Sequence, residues 1–322
     1  MVVAIGQLCA ENIFYVKQNS QGNGSSWANA FGSVQQALDV AQKGDAIWVA
    51  KGSYTTTSGT DRSLYFQIKD GVKLYGGFAG NERSLAQRNI NANRTVLSGE
   101  IGSPSNEDNA YTVIYTENVG SATVIDGFTI TGGSADTEQE QSNTSLLASG
   151  AGWYNIANGK NSSPTIRNCQ FIENKARQGA GLFNLALDGE CSPVIENCAF
   201  IQNSADLSGG GIYNATLSAQ SKTAPKLKNV RFEYNKATYG SGIMNKAENG
   251  KVAPLVQNCQ FTSNRAYIRG AGVYNDFAGN GSSRAIMIGC VLQNNISSVG
   301  DAVSSRAGSY SNKASYGNSG LR

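Results

Sequence analysis

The chain has 322 residues, 40% of them hydrophobic and 15% charged, with 38 glycines, 5 prolines and no histidine. Its apolar residues come in short, evenly spaced bursts, which excludes a disordered chain. A net charge of +3 without a Lys/Arg block excludes a nucleic-acid-binding profile, and the missing histidine removes the commonest general base and metal ligand.

Residues 1–12, MVVAIGQLCAEN, read as the remnant of a secretion signal, with an ordinary first strand as the alternative. No later run is long enough to span a membrane. Residues 33–43 form the one amphipathic helix, with Val34, Ala37, Leu38 and Ala41 on one face, Ser33 as N-cap and Gly44 as stop. It leads into a strand at 46–50 (AIWVA) and is placed to cover the open end of a solenoid core. Irregular bursts follow (LYFQI, VKLYGGF, RTVLSG, YTVIYT, TVIDGFTI). Residues 134–149 are a polar insertion carrying Asp136, Glu138 and Glu140, of the kind that forms a loop on a solenoid's binding face.

From about 120 to 305 the chain repeats. GAGWYN, GAGLFN, GGGIYN, GSGIMN and GAGVYN end at Asn155, Asn184, Asn214, Asn245 and Asn275, with Ser305 closing the series at steps of 29 to 31 residues. A second phrase keeps step: IRNCQFIEN, IENCAFIQN, LKNVRFEYN, VQNCQFTSN and IGCVLQNN. A fixed period of this size signals a solenoid. Cys169 and Phe171 alternate with Gln170 and Ile172, glycines interrupt every unit, and no 3.6-residue stripe appears, so the units are strands. Three short strands per turn predict an all-β, single-stranded right-handed parallel β-helix with a short N-terminal capping helix, spanning residues 13–305. Residues 306–322 are a polar tail leading to a missing C-terminal region.

Stacking the units gives inward columns Phe128/Cys169/Cys198/Val230/Cys259/Cys290, Ile130/Phe171/Phe200/Phe232/Phe261/Leu292 and Trp153/Leu182/Ile212/Ile243/Val273/Val303. The row Asn174, Asn203, Asn235, Asn264 and Asn295 falls at a corner, where amides can bond from coil to coil. Val230 occupies the cysteine column and stacked side chains point the same way, so the column cysteines read as buried free thiols.

The FIEN, FIQN, FEYN and FTSN phrases with GAGL, GGGI, GSGI and GAGV resemble the repeats of the polymorphic outer-membrane protein family. The opening GSSWANAFGSVQQALDVAQKGDAIWVAKGSY, with GGFAGNE and TVLSGEIG, is similar to large secreted bacterial β-helix proteins. Together these cover about residues 13–305. The resemblance implies the pectate-lyase-like fold, an extracellular or cell-surface location, and anchoring through a C-terminal domain that is missing here.

The fold also hosts hydrolases and lyases, so catalysis is tested at the residues. The repeat-region acids are scattered over different columns, no Asp-Asp pair occurs, and calcium has no clear site. Catalytic residues, metal ligands and cofactors are therefore assigned as none. Two outward columns are candidates for binding. Tyr154, Phe183, Tyr213 and Tyr274, with Met244 between, are either a ring platform for glycans or a satellite cluster under the adjacent loops. Lys175, Lys236 and Arg265, with Arg269 nearby, form a basic ridge for an acidic polysaccharide or a solvated edge. The reading is a non-catalytic exported surface protein, an adhesin or stalk-like module with a glycan or cell-surface partner. The alternatives are a polysaccharide lyase or related carbohydrate-active enzyme, and a structural or assembly subunit.

Overall fold

The computed structural model describes residues 11–306 apart from 104, 136 and 138–143. The signal reading (1–12), the acids of the 134–149 insertion and the polar tail lie almost wholly outside the described residues.

The chain winds as a right-handed parallel β-helix in which every named strand pair is parallel. One regular coil runs Thr165–Arg167, Gln170–Ile172, Lys175–Gln178 and Leu182–Asp188, and each segment joins a different sheet. We call these the first to fourth sheets; they hold nine, eight, six and eight strands. The repeat thus has four faces where the sequence predicts three. The third sheet turns a column of alanines inward (Ala135, Ala176, Ala205, Ala237), and a column of methyl groups does not register as an apolar burst.

The N-terminal coils follow the sequence closely. Helix α1 (Val34–Val40) is capped by Ser33, whose side chain accepts from the Gln36 N–H while Gln36 reaches back. Its buried Val34, Ala37 and Leu38 share the main core with Val16, Ile47 and Phe66, so the helix closes that end of the core. The strand Ala46–Ala50 is the second of its sheet, because Ile13–Val16 pairs with it first.

The Phe171 and Trp153 columns lie in strand register, the cysteine column sits one residue before the second-sheet strands, and all three pack into one core. Phe171, Phe200, Phe232 and Phe261 stack at 4.5, 5.2 and 4.7 Å with interplanar angles of 8° or less. Beside them Cys169, Cys198 and Cys259 are buried and Cys290 half-buried, all as free thiols.

Two amide ladders run along the helix axis. The corner row links Asn174 to Asn203, Asn235, Asn264 and Asn295 through Nδ2–H···Oδ1 bonds of 2.9–3.0 Å. Each amide also donates to a carbonyl of the preceding coil and accepts a backbone N–H from it. The left-handed residues are not these asparagines but the ones before them, Glu173, Gln202, Tyr234 and Ser263. A second left-handed row, Asn168, Asn197, Asn229 and Asn258, forms the corner between the first and second sheets. The other ladder joins Asn155, Asn184, Asn214, Asn245 and Asn275 at 2.9–3.0 Å inside the fourth sheet.

Candidate functional site

Alternation along the fourth sheet sends two side-chain columns outward. The first is Tyr115, Tyr154, Phe183, Tyr213, Met244 and Tyr274; the second is Glu117, Ile156, Leu185, Ala215, Lys246 and Asp276. Both are apolar in the middle of the helix, and the second becomes charged towards the C-terminal coils.

The first column is not an open platform for sugar rings. Tyr154, Phe183, Tyr213 and Tyr274 are buried in a second hydrophobic cluster, covered by Leu146, Leu187, Leu217 and Tyr239 from adjacent segments. Their faces are already in use: Tyr154 stacks on Phe183 at 5.1 Å, and Phe183 on Tyr213 at 5.0 Å. Rings stacked along the coil axis present only edges and hydroxyls sideways, so a sugar has no ring face to lie on. Of the two expectations for this column, the structure has the covered cluster.

The cover is incomplete over the C-terminal coils. There a cleft of about 360 Å³ opens, lined by Phe183, Tyr213, Met244 and Tyr274 below and by Tyr239, Leu207 and Leu217 at the sides. Lys246, Glu248, Asp276 and Arg306 close one wall. Lys246 Nζ contacts Asp276 Oδ2 at 2.6 Å, and Arg306 approaches Oδ1 at 3.6 Å. Burial first, then Glu248 and Asp276, pushes the Tyr213 hydroxyl well above its ordinary pKa. Burial, then Asp276, also raises the Tyr274 hydroxyl, with the positive charge of nearby Arg269 opposing the shift. Both hydroxyls therefore stay protonated at neutral pH and can donate hydrogen bonds. The sequence reading missed Lys246, Glu248, Asp276 and Arg306. The available signal was position: Lys246 and Asp276 each stand two residues after an aromatic-column member and so share its outward direction.

The four residues of the basic ridge lie on one face, the third sheet. Lys236 and Arg265 are register neighbours. Lys175 is two strands away, with Ser204 between. Arg269 ends the strand that Arg265 begins, paired with Tyr239 at the edge of the cleft.

Among the described residues no three Cys, Asp or Glu side chains gather as metal ligands. One enclosed charge network is structural: Asp126 is buried between Arg88 at 2.8 Å and Arg167 at 3.7 Å, accepts from Asn168, and fastens the segment after Phe78 to the first sheet. At the last coils the Cys259 thiol donates to Gln257 O at 3.2 Å and the Cys290 thiol to Val256 O at 3.3 Å. No helix among the described residues is long and apolar enough to cross a membrane.

No family model and no curated protein matches the chain. Among solved structures it is similar to a rhamnogalacturonan lyase, at 13% identity over 84% of this chain and 75% of that chain, with a TM-score of 0.49. It is also similar to pectate lyase Pel9A, at 15% identity over 84% of this chain and 78% of that chain, with a TM-score of 0.36. Identity this low carries no residue role across.

Proposed function

We propose that this chain is a non-catalytic, exported, surface-displayed β-helix, an adhesin or stalk-like module that binds a glycan in the cleft of its fourth sheet. One observation carries the reading: Tyr213 and Tyr274 line one concave site together with Lys246, Glu248, Asp276 and Arg306. That set offers donors and acceptors for sugar hydroxyls over an apolar floor. Tyr213, Lys246, Tyr274 and Asp276 stand on strands of the fourth sheet, which its amide ladder holds, so little of their freedom is lost when a ligand is fixed.

Two features favour binding over bond cleavage. A tyrosine serves as a base only when its pKa is lowered, and burial raises both of these. Lys246 is held by Asp276 and Arg306 competes for the same carboxylate, so no amine stands ready to take a proton. The lyase reading keeps one supporting observation, a lysine beside two tyrosines in a cleft, and needs the Lys246–Asp276 pair to open on substrate binding.

The test is direct binding of the purified chain to a panel of polysaccharides, repeated with Lys246→Ala and Tyr274→Phe. A glycan that binds and loses affinity in both variants, with unchanged circular dichroism, supports the cleft. Binding that ignores both variants refutes it.

A further inference from the structure

The third sheet concentrates the molecule's positive charge. Its outward residues on successive coils include Lys175 and Arg177, then Ser204 and Asp206, then Lys236 and Thr238, then Arg265 and Tyr267. With Arg269 that makes five cations and one acid on one narrow face, more positive charge than the whole chain's net +3. Five cations against one acid favour an acidic ligand on this face.

Lys236 and Arg265 sit side by side about 4.8 Å apart, the spacing of neighbouring strands. Like charges at that distance repel, and neither side chain is among the ion pairs of the described residues. Two exposed tyrosines flank them: Tyr234 at 54% and Tyr267 at 57%. Tyr234 is held outward by a left-handed backbone at the corner before Lys236. Unlike the fourth-sheet rings, these two have free faces; neither enters a ring stack.

The face also leads somewhere. Along the strand Arg265–Arg269, Arg265 and Tyr267 stand about 6.6 Å apart on the outward side, and Arg269 follows. Arg269 pairs in register with Tyr239, which stacks on Tyr274 at 5.5 Å, at the lip of the cleft. The cations and free rings therefore run across the coils, along a strand, and end at the cleft. The sequence suggested a ridge along the helix axis instead; Ser204 interrupts that line between Lys175 and Lys236.

We infer that the third sheet is an extended subsite for an acidic glycan, which leaves the cleft past Arg269 and lies across Tyr267, Arg265, Lys236 and Tyr234. The inference rests on the glycan reading of the cleft and adds the ligand's charge and direction. Carboxylate or sulfate groups meet the two unpaired cations, and sugar faces pack on the two tyrosines. A nucleic acid fits less well, because the chain's net charge is only +3 and it has no Lys/Arg block to follow a phosphate backbone.

The experiment compares heparin, polygalacturonate, neutral dextran and a single-stranded oligonucleotide on the wild type. It is repeated with Lys236→Ala/Arg265→Ala, with Tyr267→Ala, and with the cleft variant Lys246→Ala, at low and high salt. The wild type is expected to bind an acidic glycan over dextran, with affinity falling as salt rises. The double variant is expected to lose about tenfold or more at low salt and most of the salt dependence, with its fold unchanged by circular dichroism. Tyr267→Ala should weaken binding without changing the salt dependence. Acidic-glycan binding that Lys246→Ala weakens and the double variant does not would overturn the subsite and leave the cleft standing. Tighter binding of the oligonucleotide would overturn the choice of partner, and no binding to any probe would remove both proposals.

Discussion

Lys246 faces Asp276 across neighbouring coils at 2.6 Å, at the point where the outward column of the fourth sheet changes from apolar to charged. Both side chains are mostly buried, at 22% and 15% exposure, so their charges are worth more to each other than a surface pair. Removing one partner should cost more than removing both. Asp276→Asn is expected to destabilise by about 1–2 kcal/mol. A double-mutant cycle with Lys246→Met should return a coupling energy of about 1 kcal/mol. Additive effects in denaturant unfolding would mean that the pair does not hold the wall of the cleft.

The corner ladder makes a sharper prediction. Asn203 accepts from the backbone and amide of Asn174 and donates to Phe171 O and Asn235 Oδ1, all in a dry interior. Asn203→Ala strands those groups without water, and unfolding experiments should show a loss of about 3 kcal/mol or more. Asn295, half-buried on the last coil, should cost about 1 kcal/mol on the same substitution. Equal losses at the two positions would count against the ladder as a source of stability.

Glycine has a positional role that can be tested with one methyl group. A Cβ at Gly242 would sit 2.4 Å from Gly272 O and 2.9 Å from the Phe261 ring, so the coil above would have to lift. Gly242→Ala should destabilise by about 3 kcal/mol, while Gly120→Ala, whose nearest neighbour would be Asp70 Oδ1 at 3.5 Å, should change little. A folded Gly242→Ala protein with wild-type stability would mean that the stack tolerates wider spacing.

Burial sets an alkaline limit. It pushes the Tyr54 hydroxyl up to about 12, and raises Tyr154 and Tyr213 as well. In the unfolded chain these groups ionise near 10, so above about pH 10 the unfolded state sheds protons that the folded state keeps. Their contribution is fully present below that pH and is lost as the pH rises through the folded values, at about 1.4 kcal/mol per pH unit for each group. Denaturant midpoints should fall above about pH 10, and Tyr213→Phe should reduce the slope. A level profile through the same range would show that these hydroxyls reach water.

The architecture was legible because each coil repeats its instructions. The Phe171 and Trp153 columns, the corner amides and the Ser33 cap all follow from spacing and residue type, and strand register carries each forward by one coil. The third sheet was not legible, since Ala176, Ala205 and Ala237 give no apolar signal. The cleft was only half visible. The aromatic column could be aligned, yet whether Leu187 and Leu217 cover it depends on how their segments fold back, which no period encodes. Lys246 and Asp276 belong to no repeating pattern, because a site on a solenoid arises where the repeat is broken.

The most direct test of the account is to incubate the chain with each polysaccharide it binds, with and without calcium, and to follow the ultraviolet absorbance of unsaturated products together with new reducing ends. Retained binding with neither signal is the result the account predicts. Accumulation of either product, abolished by Lys246→Ala, would contradict it and make the cleft an active site.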